Sequence, residues 1–484
     1  MNKQTFSEYF ELNKSQYELD FIDIPINQGD IPLFIDPFEI SKRNDQWSIQ
    51  CHNIIVNYFQ KVVDGIRTNK TTEAKRLFSH LHEPNQTRLG LSKSQVPHGR
   101  GIGGYQSVEL FEALSESTAA KTGFINDLED CELLIDGIGR DKISDVATNL
   151  IKIKLIEYTQ AQCNLYGIQT RQVGSDFYWE PQKEEWVNQY THLPICNGRS
   201  VILVPKAIAR YDLEFDYQEY YQHFVLNFLQ TEELNANSSL VRTLKNGVKK
   251  EPTKKSLKNK YPLTKGYLYE FSKMHPDVFT RYKVSKSYGL KELSNEAIIQ
   301  ISEKQESFNI DELISKLDSI QPGTKHANEF HDHIKGILTV IFYPYLINPE
   351  KERDIHDGRK RLDIIFTNAA REGFFLDLPQ NKRIPSAYIM IECKNYSSDP
   401  ANPELDQLAG RFSVNRGQFG LLICRKINNK DLFYSRCKDT AQDRRGYILA
   451  FDDEDIKQLL LFRKNNDVRQ INSFLDEKFK KIVM

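Results

Sequence analysis

A chain of 484 residues is longer than one ordinary hydrophobic core accommodates, so two or three domains are expected. A hydrophobic content of 39% and an aromatic content of 11% suffice for packed cores and exclude a collagen-like or wholly disordered protein. The formal net charge of −1 does not indicate a nucleic-acid binder as a whole, so charge has to be compared segment by segment.

The seven cysteines are scattered along the chain and include no CxxC pair. This spacing argues against a zinc site and against a disulfide framework, and reduced thiols are typical of a cytosolic protein. The N-terminal sequence MNKQTFSEYFELNK lacks the apolar segment of a signal peptide, and no apolar run approaches the roughly 20 residues that span a bilayer. We therefore predict a cytoplasmic protein that has no membrane partner.

Residues 1–240 are predicted to form a mixed α/β region. Its predicted elements are a short strand at 30–40 that Pro37 interrupts, a helix at 48–64, a buried strand and turn in CELLIDGIG (131–139), a helix at 143–160, a strand at 199–208 and a helix at 220–234. Asp141 or Ser144 is expected to cap the helix at 143–160. No family resemblance is evident from these residues.

A glycine-rich stretch, HGRGIGG (98–104), lies within a loop predicted for residues 89–105. Backbone amides of such a stretch could cradle a phosphate, but the GxxxxGK[ST] pattern of a P-loop is absent. A flexible surface loop is the favoured interpretation. The acidic residues around CELLIDGIGRD could bind a metal or a basic partner, although turn and cap positions more often account for such acids.

Residues 241–307 are predicted to form a basic, partly helical connector, because cations there outnumber acids and prolines interrupt the helical pattern. Two interpretations stay open: a solvated lysine surface, or an electrostatic footprint for nucleic-acid phosphates. In the second interpretation the nucleic-acid-binding residues are Lys249, Lys250, Lys254 and Lys255.

Residues 308–484 are predicted to form an α/β domain in which a central mixed sheet has helices on both faces. The predicted elements are helices at 308–320 and 327–346, strands at 361–368 and 386–396, a helix at 402–417, a strand at 419–427, and a strand running into a helix at 447–462. One further strand could lie in the insertion at 369–384.

Acidic residues occur at the ends of two of these strands: Asp363 begins one, and Glu392 ends the next in the sequence IMIECKNY (389–396). A carboxylate that follows three apolar residues costs free energy unless something pairs with it. A divalent cation would do so, with Asp363, Glu392 and the backbone carbonyl of Cys393 as oxygen ligands of the kind that Mg²⁺ prefers. Lys394 lies on the same strand face as Glu392 and would orient or help to deprotonate a metal-bound water. The alternative is a surface ion pair of little energetic value.

The pattern of Asp363 followed by Glu392-x-Lys394, on a helix–strand–strand–helix–strand framework, resembles the PD-(D/E)xK, or restriction-endonuclease-like, nuclease superfamily. The resemblance covers roughly residues 308–460, which is under a third of the chain. It implies a restriction-endonuclease-like mixed sheet and hydrolysis of phosphodiester bonds with Mg²⁺, for which Mn²⁺ can substitute. Asp363 and Glu392 would be the metal ligands, and Lys394 would assist the attacking water.

The same resemblance implies roles for two further residues. Glu329, on the first helix of the domain, would join the catalytic and metal site, and Gln407, on the helix after the ExK strand, would join the catalytic set. One residue departs from the family pattern. Leu362 precedes the acid where the family often has proline, although that proline is frequently missing in the family.

Three basic residues, Arg359, Lys360 and Arg361, come immediately before the acid at 363 and could clamp phosphates beside the scissile bond. A charged hairpin loop is the equally open alternative. The histidines at 326, 331, 333 and 356 lie close in sequence, but residues 331 and 333 do not share a helix face, so no zinc site is expected. These histidines are expected on the surface or in a first helical turn.

Together these expectations describe a metal-dependent endonuclease that acts on DNA. By analogy with nucleases that carry sensing arms, it would be a regulated bacterial anti-phage defence or restriction effector. The N-terminal region would regulate the nuclease by sensing a ligand, a nucleic-acid feature or a partner protein, and a homo-oligomer would supply two sites for two strand cuts. The alternatives are a catalytically inactive nucleic-acid-binding or scaffold protein on a nuclease fold, and a nuclease that acts on RNA.

Overall fold

The structure, a computed structural model, describes residues 4–90, 102–288, 290–302, 308–355 and 360–484. Over these ranges the chain is a mixed α/β protein with more helix than strand, and its largest sheet lies in the C-terminal region. This confirms the predicted α/β class. Among the described residues, no helix combines the length and the apolar character that crossing a membrane requires.

The regular secondary structure of the described chain before residue 303 consists of helices and two-stranded pairings. The paired strands are Phe34–Ile35 with Ala209–Arg210, Arg171–Gly174 with Tyr190–Leu193, Tyr178–Glu180 with Glu185–Val187, Ile195–Cys196 with Arg199–Ser200, and Arg242–Thr243 with Lys249–Lys250. The longer helices are Gln46–Arg67, Ile102–Glu116, Arg140–Leu150, Lys152–Tyr166, Leu226–Asn235, Lys265–Met274 and Pro276–Tyr288. Shorter helices are Phe6–Tyr9, Pro37–Ser41, Thr71–Leu77, Thr118–Thr122, Asp130–Leu134, Tyr217–Glu219, Lys254–Lys260 and Asn295–Ile301.

The longest predicted helix of the N-terminal region is confirmed over Gln46–Arg67. It begins where the Asp45 side chain accepts a hydrogen bond from the Ser48 amide at 2.9 Å. Apolar residues such as Tyr58 and Val62 recur along one face and pack into the N-terminal core. The helix predicted at 220–234 is also confirmed, although its first turns are π-helical.

Other local predictions in this region were wrong. The stretch CELLIDGIG, predicted as a buried strand, forms the short helix Asp130–Leu134. The strand predicted before Pro37 is limited to Phe34–Ile35, and the proline starts a helix instead. Asp36 caps that helix by accepting a hydrogen bond from the Phe38 amide at 2.9 Å. Proline suits the first helical position because an N–H there has no partner within the helix.

The single helix predicted at 143–160 is also interrupted, since the chain forms Arg140–Leu150 and then Lys152–Tyr166. Neither Asp141 nor Ser144 caps it, because the first of these helices starts before both residues. The Ser144 hydroxyl instead accepts a hydrogen bond at 2.9 Å from the amide of a neighbouring strand.

Two further stretches differ from their predictions. Residues 98–101 of the glycine-rich stretch lie outside the described residues, and its remaining glycines belong to the helix Ile102–Glu116 rather than to a loop. The strand predicted at 199–208 is regular only at Arg199–Ser200, followed by a 3₁₀ turn at Lys206–Ile208.

A five-stranded mixed sheet organises the C-terminal region. In spatial order its strands are β1 (Leu346–Ile355), β2 (Lys360–Asn368), β3 (Tyr388–Lys394), β4 (Phe419–Cys424) and β5 (Tyr447–Phe451). β1, β2 and β3 pair antiparallel, whereas β3, β4 and β5 pair parallel. The helices beside the candidate site are α1 (Ala327–Phe342) and α2 (Asn402–Ala409), and further helices are Ile310–Ser319, Gly373–Gln380, Lys430–Gln442, Asp453–Lys464 and Val468–Val483.

The predicted central mixed sheet is confirmed, with three corrections. The insertion at 369–384 carries the helix Gly373–Gln380 rather than a strand. The additional strand is β1, which precedes the predicted set. Helix α2 ends at Ala409 with Gly410 as its C-cap, so the helix predicted at 402–417 is too long. β1 is an edge strand, where charged side chains are tolerated, and this explains why its sequence LINPEKERDI has no long apolar run.

The inner strands are nearly continuous apolar runs, as expected where helices cover both faces of a sheet. Every residue of β4, FGLLIC, is buried. In β3 the buried run extends from Ile389 to Cys393 and includes Glu392. A carboxylate therefore lies within the apolar core of this sheet.

Helix α1 packs between the sheet and the N-terminal region. On one side it contacts β1 and β3. On the other side Lys335 is buried, with its ammonium 4.4 Å from the centre of the Tyr166 ring. Gly336 leaves space for Glu18, since a Cβ at this glycine would lie 2.8 Å from Glu18 Oε1. The two parts of the chain are thus in direct contact along this helix.

A buried ionic cluster also joins the N-terminal region to the segment that follows β2. Glu39 is fully buried and pairs with Arg43 at 3.4 Å, with Arg371 at 2.5 Å and with Arg210. Burial alone would raise the pKa of Glu39, but the three guanidinium groups together hold it below its ordinary value. Loss of this acid would leave buried cations with less compensation.

Replacing Glu39 with alanine is expected to lower the free energy of unfolding by about 3 kcal/mol, because breaking a buried ion pair leaves uncompensated charge. Arg281→Ala is the control, since its pair with Asp277 is exposed and its loss is expected to cost less than about 1 kcal/mol. Chemical denaturation followed by circular dichroism measures both variants. Equal losses would contradict a structural role for Glu39.

Candidate active site

The register of β2 and β3 brings the two predicted acids together. Ile364 pairs with Ile391, so the next positions along these antiparallel strands are Asp363 and Glu392. Asp363 accepts a hydrogen bond at Oδ2 from the amide of Cys393, 2.9 Å away. Two carboxylates that are distant in sequence therefore meet where the two strands separate.

Glu392 is the buried member of this pair. Its pKa is raised, mainly by burial and further by the nearby Asp363 carboxylate. Two cations oppose this effect: Lys394 Nζ donates to Oε1 at 2.7 Å, and the Arg411 guanidinium lies 3.4 Å from Oε2. Among the described residues, Oε2 has no hydrogen-bond partner. The acid is thus held between two cations with one of its oxygens still able to accept a ligand.

Lys394 links the buried acid to helix α2. Its Nζ donates a second hydrogen bond to Gln407 Oε1 at 2.9 Å. The start of α2 is fixed close to the end of β3, because the Tyr396 hydroxyl donates a hydrogen bond to Glu404 at 2.6 Å. Burial, together with this hydrogen bond, raises the pKa of Tyr396. The structure therefore brings Gln407 to the ammonium group, in line with the resemblance.

Arg411 was not predicted as a site residue. It lies four residues after Gln407, close to the end of α2, and its side chain is buried against Glu392. Arg411 lies beyond Ala409, the last residue of α2, so helical spacing does not relate it to Gln407, and no local feature of the sequence indicates its contact with Glu392.

His331 was also missed. Its Nε2 donates a hydrogen bond at 3.1 Å to the backbone carbonyl of Cys393, the oxygen predicted as a third metal ligand. Nothing local distinguishes it from its neighbour His333, which faces another way, is buried and donates to the Leu313 carbonyl at 2.8 Å. Burial lowers the pKa of His333 to about 4. The prediction that these histidines lie on the surface was therefore wrong for His333.

Glu329 is a predicted site residue that the structure does not bring to the acid pair. It lies two residues before His331 on α1, and residues at that spacing do not face the same side of a helix. Its carboxylate is half-exposed, 3.4 Å from His326 Nδ1. It lines a cleft of about 670 Å³ shared with Lys14 of the N-terminal region and with Lys316.

The predicted basic residues next to Asp363 are placed only in part. Arg359 and His356 lie outside the described residues. Lys360 and Arg361 begin β2, but their side chains also lie outside the described part of the chain.

The predicted cations of the connector have different environments. Lys249 and Lys250 are exposed on a short strand, and Lys255 is exposed on the helix that follows. Lys254 instead donates a hydrogen bond to the Gln222 carbonyl at 2.7 Å. The four residues therefore do not form one uniform surface.

The oxygen atoms where the pairing of β2 with β3 stops suit a hard divalent cation. The donors are the carboxylates of Asp363 and Glu392, including Glu392 Oε2, which has no hydrogen-bond partner among the described residues, and the carbonyl of Cys393. The described residues contain no group of three or more His, Cys, Asp or Glu side chains placed to hold a metal ion. Mg²⁺ commonly binds through one or two carboxylates together with water and substrate phosphates, so this donor set fits it.

Comparison with known proteins concerns the N-terminal region. Residues 11–216 match a family described as a domain of unknown function, DUF8370. No curated protein and no solved structure matches the chain. The matched residues end before α1 and the sheet, so the candidate site stands on its own geometry.

Mg²⁺ titrated into the wild-type protein in a calorimeter is expected to show saturable uptake. Glu392→Gln and Asp363→Asn are each expected to abolish it, because each removes an anionic oxygen ligand. Gln407→Ala and Glu329→Gln are controls that should keep it, since Gln407 reaches the site through Lys394 and Glu329 faces another side of α1. Unchanged uptake by Glu392→Gln would rule out the assigned ligand set.

Proposed function

We propose that the protein is a metal-dependent endonuclease that hydrolyses phosphodiester bonds in DNA. The observation that carries the proposal is the meeting of Asp363, Glu392 and Lys394 at the end of β3, where its pairing with β2 stops, with Glu392 fully buried. A buried acid beside a second carboxylate is costly as a purely structural feature, and groups with displaced pKa values concentrate at sites of chemistry. The resemblance to PD-(D/E)xK nucleases supports the same reaction.

Each residue of the candidate site has its own role in the proposed reaction. Asp363, Glu392 and the Cys393 carbonyl would hold Mg²⁺ or Mn²⁺, which when bound supplies Lewis acidity for activating water and neutralising phosphate charge. Lys394 lies beside Glu392, where it can orient the attacking water and stabilise negative charge that develops in the transition state. Gln407 accepts a hydrogen bond from Lys394 and so holds the ammonium group in place.

Regulation by the N-terminal region is the second part of the proposal. Helix α1 contacts that region through Lys335 and Gly336, and the same helix carries His331 to the Cys393 carbonyl. A displacement of the N-terminal region would therefore move a residue that touches the candidate site. By analogy with nucleases that carry sensing arms, this arrangement suits a regulated anti-phage defence or restriction effector that acts as a homo-oligomer.

The purified protein is expected to cut plasmid DNA with Mg²⁺ or Mn²⁺ and to be inactive in EDTA. Glu392→Gln and Lys394→Ala should each lower the cleavage rate by at least about 100-fold, because each removes a group that acts in the chemical step. DNA binding by these variants, measured by a gel shift, should persist. Gln407→Ala should cause a smaller loss, on the order of 10-fold, because Lys394 keeps its bond to Glu392.

Lys457→Ala is the matched control for Lys394→Ala. Lys457 also pairs with acids, but these are the exposed Asp318 and Glu454 rather than the buried Glu392, so its loss should leave cleavage unchanged. RNA of similar length is tested in parallel. Cleavage of RNA alone would redirect the proposal to a ribonuclease, and DNA binding without any cleavage would favour an inactive scaffold.

A further inference from the structure

An exposed strand pair projects from the basic connector. It comprises residues 242–250, the basic hairpin, in which Arg242–Thr243 pairs with Lys249–Lys250. The turn is closed by a hydrogen bond at 2.9 Å from the Leu244 amide to the Val248 carbonyl, and Gly247 adopts the positive φ of +80° that the turn requires. Every residue of the basic hairpin is exposed.

The base of the basic hairpin is anchored to the protein. Pro252 is buried, and its carbonyl accepts a hydrogen bond at 2.7 Å from Gln230 on the helix Leu226–Asn235. The next helix, Lys254–Lys260, is capped by the Thr253 side chain. The hairpin is therefore an exposed element with a fixed point of attachment.

The cations of the basic hairpin are not neutralised internally. They are Arg242, Lys245, Lys249 and Lys250, and in the part of the chain that the structure describes none of them has an acidic partner. Arg242 lies directly across the strand pair from Lys250. Like charges placed opposite each other destabilise a strand pair, and an anion bound between them would remove that cost.

Other cations of the connector are already neutralised. Lys283 pairs with Asp127 and Asp130, each at 2.8 Å, and Lys260 pairs with Glu233 at 2.6 Å. Lys286 pairs with Glu214 at 3.6 Å, and the Lys265 ammonium donates to the Ile138 carbonyl at 2.7 Å. The structure thus separates the connector into cations that hold the fold and cations that face solvent.

We propose that the basic hairpin is a docking surface for the phosphate backbone of duplex DNA, separate from the candidate active site. This inference rests on the proposed function in that the docked duplex is the substrate of the nuclease. A two-stranded ribbon fits the major groove, and four uncompensated cations on one ribbon match a repeating anion. The exposed apolar side chains near its tip, Leu244 and Val248, can contact sugars and bases. A surface that serves only to be solvated does not need exposed apolar side chains.

Binding is measured by fluorescence anisotropy of a labelled duplex, in EDTA and in the Glu392→Gln background, so that no cleavage occurs. Removing four charges at once, as R242A/K245A/K249A/K250A, is expected to weaken binding at least about 10-fold near 0.1 M salt. The slope of log K against log salt should become less steep by about 3.6, since each of the four phosphate contacts contributes about 0.9.

A charge-matched control removes four exposed cations that already pair with acids, as R67A/K70A/R281A/K464A. It should change binding by less than about 2-fold, because an internally paired cation releases few counterions from the duplex. Lysine-to-arginine changes at 245, 249 and 250 should keep both affinity and salt slope. Circular dichroism checks that all three variants are folded.

Three results would overturn the docking surface: unchanged binding by the hairpin variant, an equal loss in the charge-matched control, or equally tight binding of a polyglutamate probe. The test is independent of catalysis. Hairpin-dependent binding with no cleavage by the wild type in Mg²⁺ would support the docking surface and contradict the proposed nuclease activity. Cleavage by a protein whose DNA binding does not depend on the hairpin would support the nuclease activity and contradict the docking surface.

Discussion

The candidate site depends on one electrostatic constraint, the free-energy cost of burying the Glu392 carboxylate completely at the end of an apolar strand. Lys394 and Arg411 compensate part of that charge, but Asp363 adds a second carboxylate, and the net result is a raised pKa for Glu392. A divalent cation between the acids would favour the ionised form of Glu392 and relieve its repulsion with Asp363. The pair is therefore unfavourable by itself and well suited to a bound metal ion.

Strand register, rather than a flexible loop, sets the positions of these groups. A slip of one residue between β2 and β3 would turn every side chain of the slipped strand to the opposite face and would separate Asp363 from Glu392. The Cys393 amide bonds to Asp363 while its carbonyl accepts from His331, so one residue of β3 links the acid pair to α1. Because α1 also packs against the N-terminal region through Gly336, its position is common to both halves of the chain.

The sequence predicts groups that carry a local pattern and misses those that depend on packing. An apolar run ending in Glu392-Cys393-Lys394 indicates the strand, its end and the acid together. The contacts of Arg411 and His331 depend on how helices lie on the sheet, which no local pattern encodes. CELLIDGIG fits a strand or one helical turn equally well, since its apolar run is short. β1 was missed because an edge strand does not need apolar side chains on both faces.

Lysine content is a poor measure of where this protein can bind a polyanion. Lys206, Lys265 and Lys335 are buried, and their ammonium groups contact oxygen atoms or aromatic rings inside the fold. A phosphate that approached such a cation would have to displace an internal partner. At the basic hairpin it would displace only water and counterions, whose release favours binding. Local neutralisation, rather than the net charge of −1, therefore distinguishes the basic segment whose cations have no internal partner to displace.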